Sequence, residues 1–298
     1  MTSIEKMMKN WIPTQRKLVQ LANGFLLSVA NAKIVRAFPE TFRYRKNGTR
    51  DGMDRLTVTN SLNDRSSAIS LRSATSDWFT FDQIFIHEDY NLKALKRYPE
   101  FEALYAKYSA EGTPLILDLG ANIGLSSVYF HHVWPASKIV AVEPSDDNFA
   151  VLRENFGGNE KLEAMLAGIS SKSSRLALTD SSVEKNAFTT TVIEPGTDGG
   201  VQGMTVPEIL ARYPSSAGYR PFIVKIDIEG FESDLFAENT DWVNDFPVLI
   251  IEMHDWLFPG QRTSSNFLKT IAGLDRDFVY LGENVFSIRN DRTAAPNP

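Results

Sequence analysis

A chain of 298 residues, 43% of them hydrophobic, is long enough to bury a sizeable core as one large domain or two small ones. It has no cysteine, which excludes a disulfide framework and thiolate chemistry and fits a cytoplasmic protein. The net charge of −6 is unevenly placed: residues 1–50 hold ten Lys/Arg against two Asp/Glu, a balance of +8, which leaves −14 for the rest. No apolar run reaches the length that spans a bilayer.

The basic N-terminus mimics an export signal, but an export signal is not the expectation here. Lys6, Lys9, Arg16 and Lys17 precede the apolar stretch from Leu18 to Ala30, but Gln20 and Asn23 interrupt what should be a continuous signal core. Leu18, Leu21, Phe25, Leu26 and Val29 recur at helical spacing, so an amphipathic helix is expected here, packed on a domain or on a second copy in a homodimer. The basic residues lack the aromatic interleaving of a nucleic-acid surface, and none is expected as a partner. Residues 39–75 read as loops or short strands, with turns at Asn47-Gly48 and Asp51-Gly52 and a strand over Leu56–Thr59. Aromatic residues follow from Trp78 to Ile86, and a helical pattern runs from Leu92 to Tyr108.

The chain is organised around the next stretch. Pro114 to Leu117 is a buried strand, Asp118 ends it, a turn carries Gly120, Ala121, Asn122 and Gly124, and a helix starts near Leu125. Strand, glycine turn and helix bring backbone N–H groups close to a ligand. The turn lacks the G-x-G-x-x-G of dinucleotide sites, and the carboxylate ahead of it would repel a pyrophosphate. It suits a cationic ligand such as S-adenosyl-L-methionine, which carries an ammonium and a sulfonium and no phosphate. A second strand, Lys138 to Glu143, also ends in an acid, where a carboxylate can accept hydrogen bonds from ribose hydroxyls. Pro144 and the N-cap Ser145 then open a helix with Asp146 and Asp147 in its first turn.

A third strand, Leu162 to Leu166, ends at Ala167-Gly168. Residues 170–182 are polar and turn-like, and residues 189–201, with Pro195, Gly196, Gly199 and Gly200, read as a flexible loop or hairpin. Thr205 caps a short helix. Phe222 to Asp227 is a fourth strand with a lone Lys225 among apolar residues, and Asp227, Glu229 and Glu232 cluster beyond its end. A fifth strand, Val248 to Glu252, leads to His254 and Asp255. A hairpin over Phe278–Leu281 and Val285–Ile288 closes the pattern.

The stretch Asp118–Ser126, with Val142–Phe149, Val224–Glu232 and Ile251–Asp255, resembles the S-adenosylmethionine-dependent methyltransferases of the FkbM family. The resemblance covers roughly residues 75–290. It implies an α/β, Rossmann-like class I methyltransferase fold: a mostly parallel seven-stranded sheet ending in an antiparallel hairpin. The division expected is an N-terminal extension over 1–75, a methyltransferase domain over 76–290 and a tail over 291–298. The cofactor is expected on Asp118, Gly120, Ala121, Asn122, Gly124, Glu143 and Pro144. By analogy with the fold, Ala167 would lie by the adenine, and Thr75, Asp77 or Gln83 near the methionine end.

The same resemblance implies O-methylation of a hydroxyl on a small molecule, sugar or natural-product acceptor. An N-methyltransferase and a non-catalytic cofactor-binding subunit are the alternatives. A hydroxyl acceptor must lose a proton, so Asp227, Glu229, His254 and Asp255 are candidate bases, with Lys225 steering Asp227 or the acceptor. His254 is attractive because free imidazole titrates near pH 6.5. Carboxylate and imidazole together also suit a divalent metal, but the expectation is a metal-free site. His87, His131 and His132 are expected to be structural.

Overall fold

The structure, a computed structural model, describes residues 41–180, 188–193 and 200–290. The amphipathic helix expected near the N-terminus, the C-terminal tail 291–298 and the expected loop residues 183–187 and 194–199 lie outside them. Among the described residues, no helix is long and apolar enough to cross a membrane.

Seven strands form the central sheet: β4 (Thr113–Leu119), β5 (Lys138–Glu143), β6 (Leu162–Leu166), β11 (Tyr219–Ile226), β12 (Val248–Glu252), β13 (Arg276–Leu281) and β14 (Asn284–Arg289). Their order is β13-β14-β12-β11-β4-β5-β6. Strands β12, β11, β4, β5 and β6 run parallel, and the β13–β14 hairpin adds antiparallel to β12. This is the expected sheet. Order reverses at β4, so the crevice beyond the ends of β4, β5 and β11 is where such sheets hold ligands.

Both faces of the sheet are covered, which is why its strands read as unbroken apolar runs. Ile116, Ile139, Ala141, Val248 and Ile250 feed one core; Leu115, Leu117, Val140, Val142, Leu249 and Ile251, their neighbours along the strands, feed the other. A register shift between Pro221 and Ile223 lets β11 send both Phe222 and Ile223 to the first core.

The first core is roofed by helices α1 (Asp77–Phe81), α2 (Tyr98–Glu111), α3 (Leu125–Val133) and α4 (Asp146–Phe156), and by an antiparallel sheet of β1 (Phe42–Arg50), β2 (Met53–Asn60) and β3 (Ser66–Arg72). That sheet replaces the loops and short strands expected over residues 39–75. Strand β2 alternates strictly, with Asp54, Leu56, Val58 and Asn60 inward. Strand β1, by contrast, is exposed along most of its length and gives no such pattern. The helix expected from Leu92 begins only at Tyr98, because Pro99 is accommodated in a first turn and not in a helix interior; a 3₁₀ turn, Leu92–Ala94, precedes it.

Helices α5 (Val206–Arg212), α6 (Glu232–Leu235) and α7 (Ser265–Ala272) cover the second core. Thr205 and Glu208 form a reciprocal capping box at the start of α5. Next to it, β7 (Gly168–Ile169), β8 (Ser174–Asp180), β9 (Phe188–Ile193) and β10 (Val201–Met204) make a small sheet of order β7-β10-β8-β9, where turns and a flexible loop or hairpin were expected. Leu176 is its fully buried anchor, a single inward residue in a polar stretch.

Phe222 is fully buried and meets the rings of Trp134, Tyr105 and Tyr108 at centroid distances of 5.2, 5.6 and 6.3 Å. Phe222→Ala should lower the urea-unfolding free energy by about 3–5 kcal/mol while the far-ultraviolet circular dichroism of the native state is kept.

Candidate active site

The glycine turn after β4 spends its backbone N–H groups inside the protein. Gly120 and Ala121 donate to the Val142 carbonyl, both at 3.0 Å, and Gly124 donates to Ala121 at 2.8 Å. Asn122, in the left-handed conformation at φ +50°, donates its N–H to Glu143 Oε2 at 2.8 Å. A phosphate cradle needs such groups free; here they hold Glu143 in place.

Glu143 also accepts from the Ser145 N–H at 3.0 Å and from Asn148 Nδ2 at 3.2 Å, both on Oε1. Burial pushes its pKa up, against these hydrogen bonds. The three donors fill three of the roughly four acceptor positions of a carboxylate. One acceptor position remains open.

Glu143 lines a crevice of about 590 Å³, counting space open to solvent, shared with Gly120, Asn122, Pro144, Asn148 and Ala167. At its other end stand Asp227, Glu229 and Phe231. The buried Oδ1 of Asn122 has no hydrogen-bond partner in the protein, so a donor can be accepted there. A nucleoside with a cationic amino-acid end fits this donor and acceptor set: a carboxylate for hydroxyls, small apolar residues about Ala167 and Gly168 for a base, and acids at the far end.

Asp118 is placed differently from expectation. It is fully buried, accepts from Ser126 Oγ at 2.5 Å and Ser127 Oγ at 2.6 Å, and pairs with Lys225 at 3.2 Å. It does not line the crevice; its charge reaches a ligand only through Lys225 and the turn. Ala121 and Gly124 are likewise outside the lining. Gly124, at φ +81°, faces Leu152 and Phe156 and serves the packing of α4. Asp77 is also fully buried and holds Arg72 through bonds of 2.7, 2.9 and 3.0 Å. Arg72 in turn donates to Asn148 Oδ1 at 2.9 Å, so Asp77 acts on the crevice from two residues behind it. Thr75 bonds the Arg72 carbonyl, and Gln83 reaches Glu283.

Lys225 is a brace and not a group aimed at an acceptor. Its ammonium is buried, donates to the Gly120 carbonyl at 2.7 Å, and lies 3.2 Å from Asp118 and 3.5 Å from Asp227. Burial alone would lower its pKa, but the two carboxylates more than offset that and raise it. Gly120 sits so close to this strand end that a Cβ there would fall 1.8 Å from the Asp227 carbonyl oxygen, at φ +78°. The first and third signatures are thus stitched together at one point.

His254 departs furthest from expectation. Its Nδ1 donates to the fully buried Glu232 at 2.8 Å, while Nε2 faces Glu252 at 3.5 Å and Asp227 and Glu229 at 3.6 Å. Burial would lower the imidazole pKa; the hydrogen bond to Glu232 and the surrounding carboxylates overcome it and raise it to about 10. At neutral pH the ring is a cation with no free lone pair, so in this state it is not the general base. Burial together with Asp227 raises Glu229 to about 7 and Glu252 to about 8. Asp255 follows on the half-exposed loop.

Of the other histidines expected to be structural, His131 and His132 are buried, while His87 is exposed and faces Asp82 at 3.1 Å. Burial lowers His131 and His132 to about 4, where they bond Asn159 and Ser67. Sequence reasoning missed Asn148, Gly168, Ile169, Ile228 and Phe231 in the lining. Asn148, Ile228 and Phe231 stood inside the stretches Val142–Phe149 and Val224–Glu232 that carried the resemblance, and Asn148 also stands in the first turn of the helix that Glu143 leads into.

The charged imidazole contributes stability that is complete below its unfolded pKa of about 6.5 and is lost as pH rises through about 10. In chelator-treated protein, the urea midpoint of the wild type should therefore fall between about pH 7 and about pH 10 more steeply than that of His254→Asn. Equal slopes would show that the ring gains no charge-stabilising interaction.

The family model for the methyltransferase FkbM domain matches residues 118–280, more than half of the chain. Among curated proteins, the methyltransferase sdnD of Sordaria araneosa is 42% identical over 69 residues, 22% of this chain; the chain spans 27% of that relative's length. Among solved structures, the O-methyltransferase from Bacillus cereus in complex with SAH is 13% identical, with 64% of this chain and 81% of that chain covered and a TM-score of 0.36. The SAH-bound Podospora anserina methyltransferase PaMTH1 is 11% identical, with 64% and 77% covered and a TM-score of 0.34. The chain belongs to the FkbM methyltransferase family, and its cofactor is S-adenosyl-L-methionine.

Proposed function

We propose that the protein methylates a hydroxyl oxygen on a small molecule, sugar or natural-product acceptor, in the cytoplasm. One observation carries this reading: a single crevice has a hydrogen-bonded carboxylate, Glu143, at its nucleoside end and two carboxylates, Asp227 and Glu229, at the other. The cofactor supplies a methyl group already activated on a sulfonium, so the protein's work is orientation and proton removal. Holding two reactants in line is worth about 7–11 kcal/mol, and a positioned base adds roughly 10²–10⁴-fold.

Glu143, Asn122 and the small residues about Ala167 would hold the nucleoside. Lys225 fixes the backbone of Gly120 and the carboxylate of Asp227. Glu229, on a left-handed backbone at φ +54° followed by Gly230, is turned to the crevice and is our candidate for the group that accepts the hydroxyl proton; the acceptor oxygen would bond the methyl carbon as its bond to the sulfonium sulfur breaks, the neutral thioether leaving. Trp256, 60% exposed with its ring 6.4 Å from that of His254, offers an apolar face beside the same end for the acceptor.

Calorimetric titration with S-adenosylmethionine should give one site per chain, and Glu143→Ala should weaken it at least about tenfold, the loss of a charge-assisted hydrogen bond. With labelled cofactor and a hydroxylated metabolite pool, Glu229→Gln should lower kcat by about 10²–10⁴-fold at nearly unchanged cofactor affinity. Label on nitrogen would replace this reading with N-methylation. Binding without transfer to any pool would leave a non-catalytic subunit.

A further inference from the structure

We propose that Asp227, Glu252 and His254 form a divalent-cation site of mixed carboxylate and imidazole ligands, with Glu229 beside it and free of the ion. The three residues each present one donor atom, all within 4.8 Å of one another. From His254 Nε2, the carboxylate oxygens of Glu252, Asp227 and Glu229 stand at 3.5, 3.6 and 3.6 Å. These spacings are too long for good hydrogen bonds. They match donor atoms about a shared ion, which with bonds of about 2.1 Å lie roughly 3.0–4.2 Å apart.

A second observation lies outside the acid cluster. The His254 side chain is 2% exposed, and its Nε2 is aimed into the gap between the three carboxylates with no hydrogen bond of ordinary length. Its other nitrogen is committed: Nδ1–H donates to Glu232, which is fully buried at the start of α6. A carboxylate behind an imidazole is the arrangement that fixes a metal-ligating histidine in one tautomer and orientation. The cation would take the Nε2 lone pair in place of the proton there.

Charge argues the same way. Five carboxyl groups, of Asp118, Asp227, Glu229, Glu232 and Glu252, crowd about the Lys225 ammonium and the His254 ring, and Lys225 is already committed to Asp118 and the Gly120 carbonyl. Carboxylates joined by one imidazole suit a first-row ion such as Mn²⁺ or Zn²⁺ better than Mg²⁺. The site adjoins the acid end of the crevice through Asp227. There the ion would bind the acceptor oxygen and acidify its hydroxyl, with Glu229 left to take the proton. That catalytic role rests on the methyl-transfer reading; the binding of the ion does not.

The test uses the full chain, stripped with chelator and titrated with Mn²⁺ under electron paramagnetic resonance. One Mn²⁺ per chain is expected, displaced by Zn²⁺. Glu252→Gln and Asp227→Asn should each weaken it more than tenfold, and Glu232→Gln, which never touches the ion, by about 10–100-fold. Free Mn²⁺ and Zn²⁺ at millimolar concentration with folded wild type, or equal binding in all three variants, would overturn the site. Should a carboxylate variant fail to fold, the wild-type stoichiometry and the Glu232→Gln titration decide. S-adenosylmethionine titrated against the same preparation keeps the two readings apart: cofactor binding without Mn²⁺ binding removes the metal site alone, and the reverse removes the cofactor reading alone.

Discussion

A buried ammonium holds this site together. Lys225 lies in the middle of the sheet, where an unpaired charge would be very costly, and it is compensated by Asp118, Asp227 and a carbonyl of the glycine turn. Its partners come from β4, from the turn after it and from the end of β11. Those pieces carry Gly120 and Asn122 at one end of the crevice and Asp227 at the other. The ion pair therefore sets the distance between the two halves of the chemistry. The close approach of Gly120 to the Asp227 carbonyl leaves no slack in that setting.

From this brace the rest follows outward. The glycine turn, pinned by Lys225, directs its N–H groups at Val142 and Glu143 and not at a ligand. Glu143 is thereby presented as an acceptor with one open position. On the other side, Asp227 is turned toward His254, Glu229 and Glu252, a group whose negative charge exceeds what its cations balance. Burial first, and the Asp227 charge second, raise Glu229 and Glu252.

The parallel sheet was legible in the sequence because strands buried on both faces must be apolar throughout, and their ends are marked by Asp118, Glu143, Asp227 and Glu252. What was not legible depends on partners far along the chain. Asp118 stands at the strand end that the pattern indicated, yet Ser126 and Ser127 enclose it, and no periodicity announces that. His254 has the intrinsic pKa of a base, but Glu232, 22 residues earlier, makes it a cation. Strands β1 and β8 escaped notice because each buries few residues, so neither shows a two-residue alternation. Pro99, by contrast, was an overlooked signal in plain view: it marks where α2 begins.

The three-stranded sheet before the methyltransferase strands has a consequence for modularity. Arg72 at the end of β3 is clamped by Asp77 and grips Asn148, and Asn148 grips Glu143. Asn155 adds a second tether, exchanging bonds with Ser70 and reaching the carbonyl of Ile123. The sheet is thus no detachable appendage. A chain shortened to begin at Thr113 would keep every signature residue and still lose the guanidinium that steadies Glu143 through Asn148. Any lineage exchanging this segment for another would have to resupply a cation at that spot.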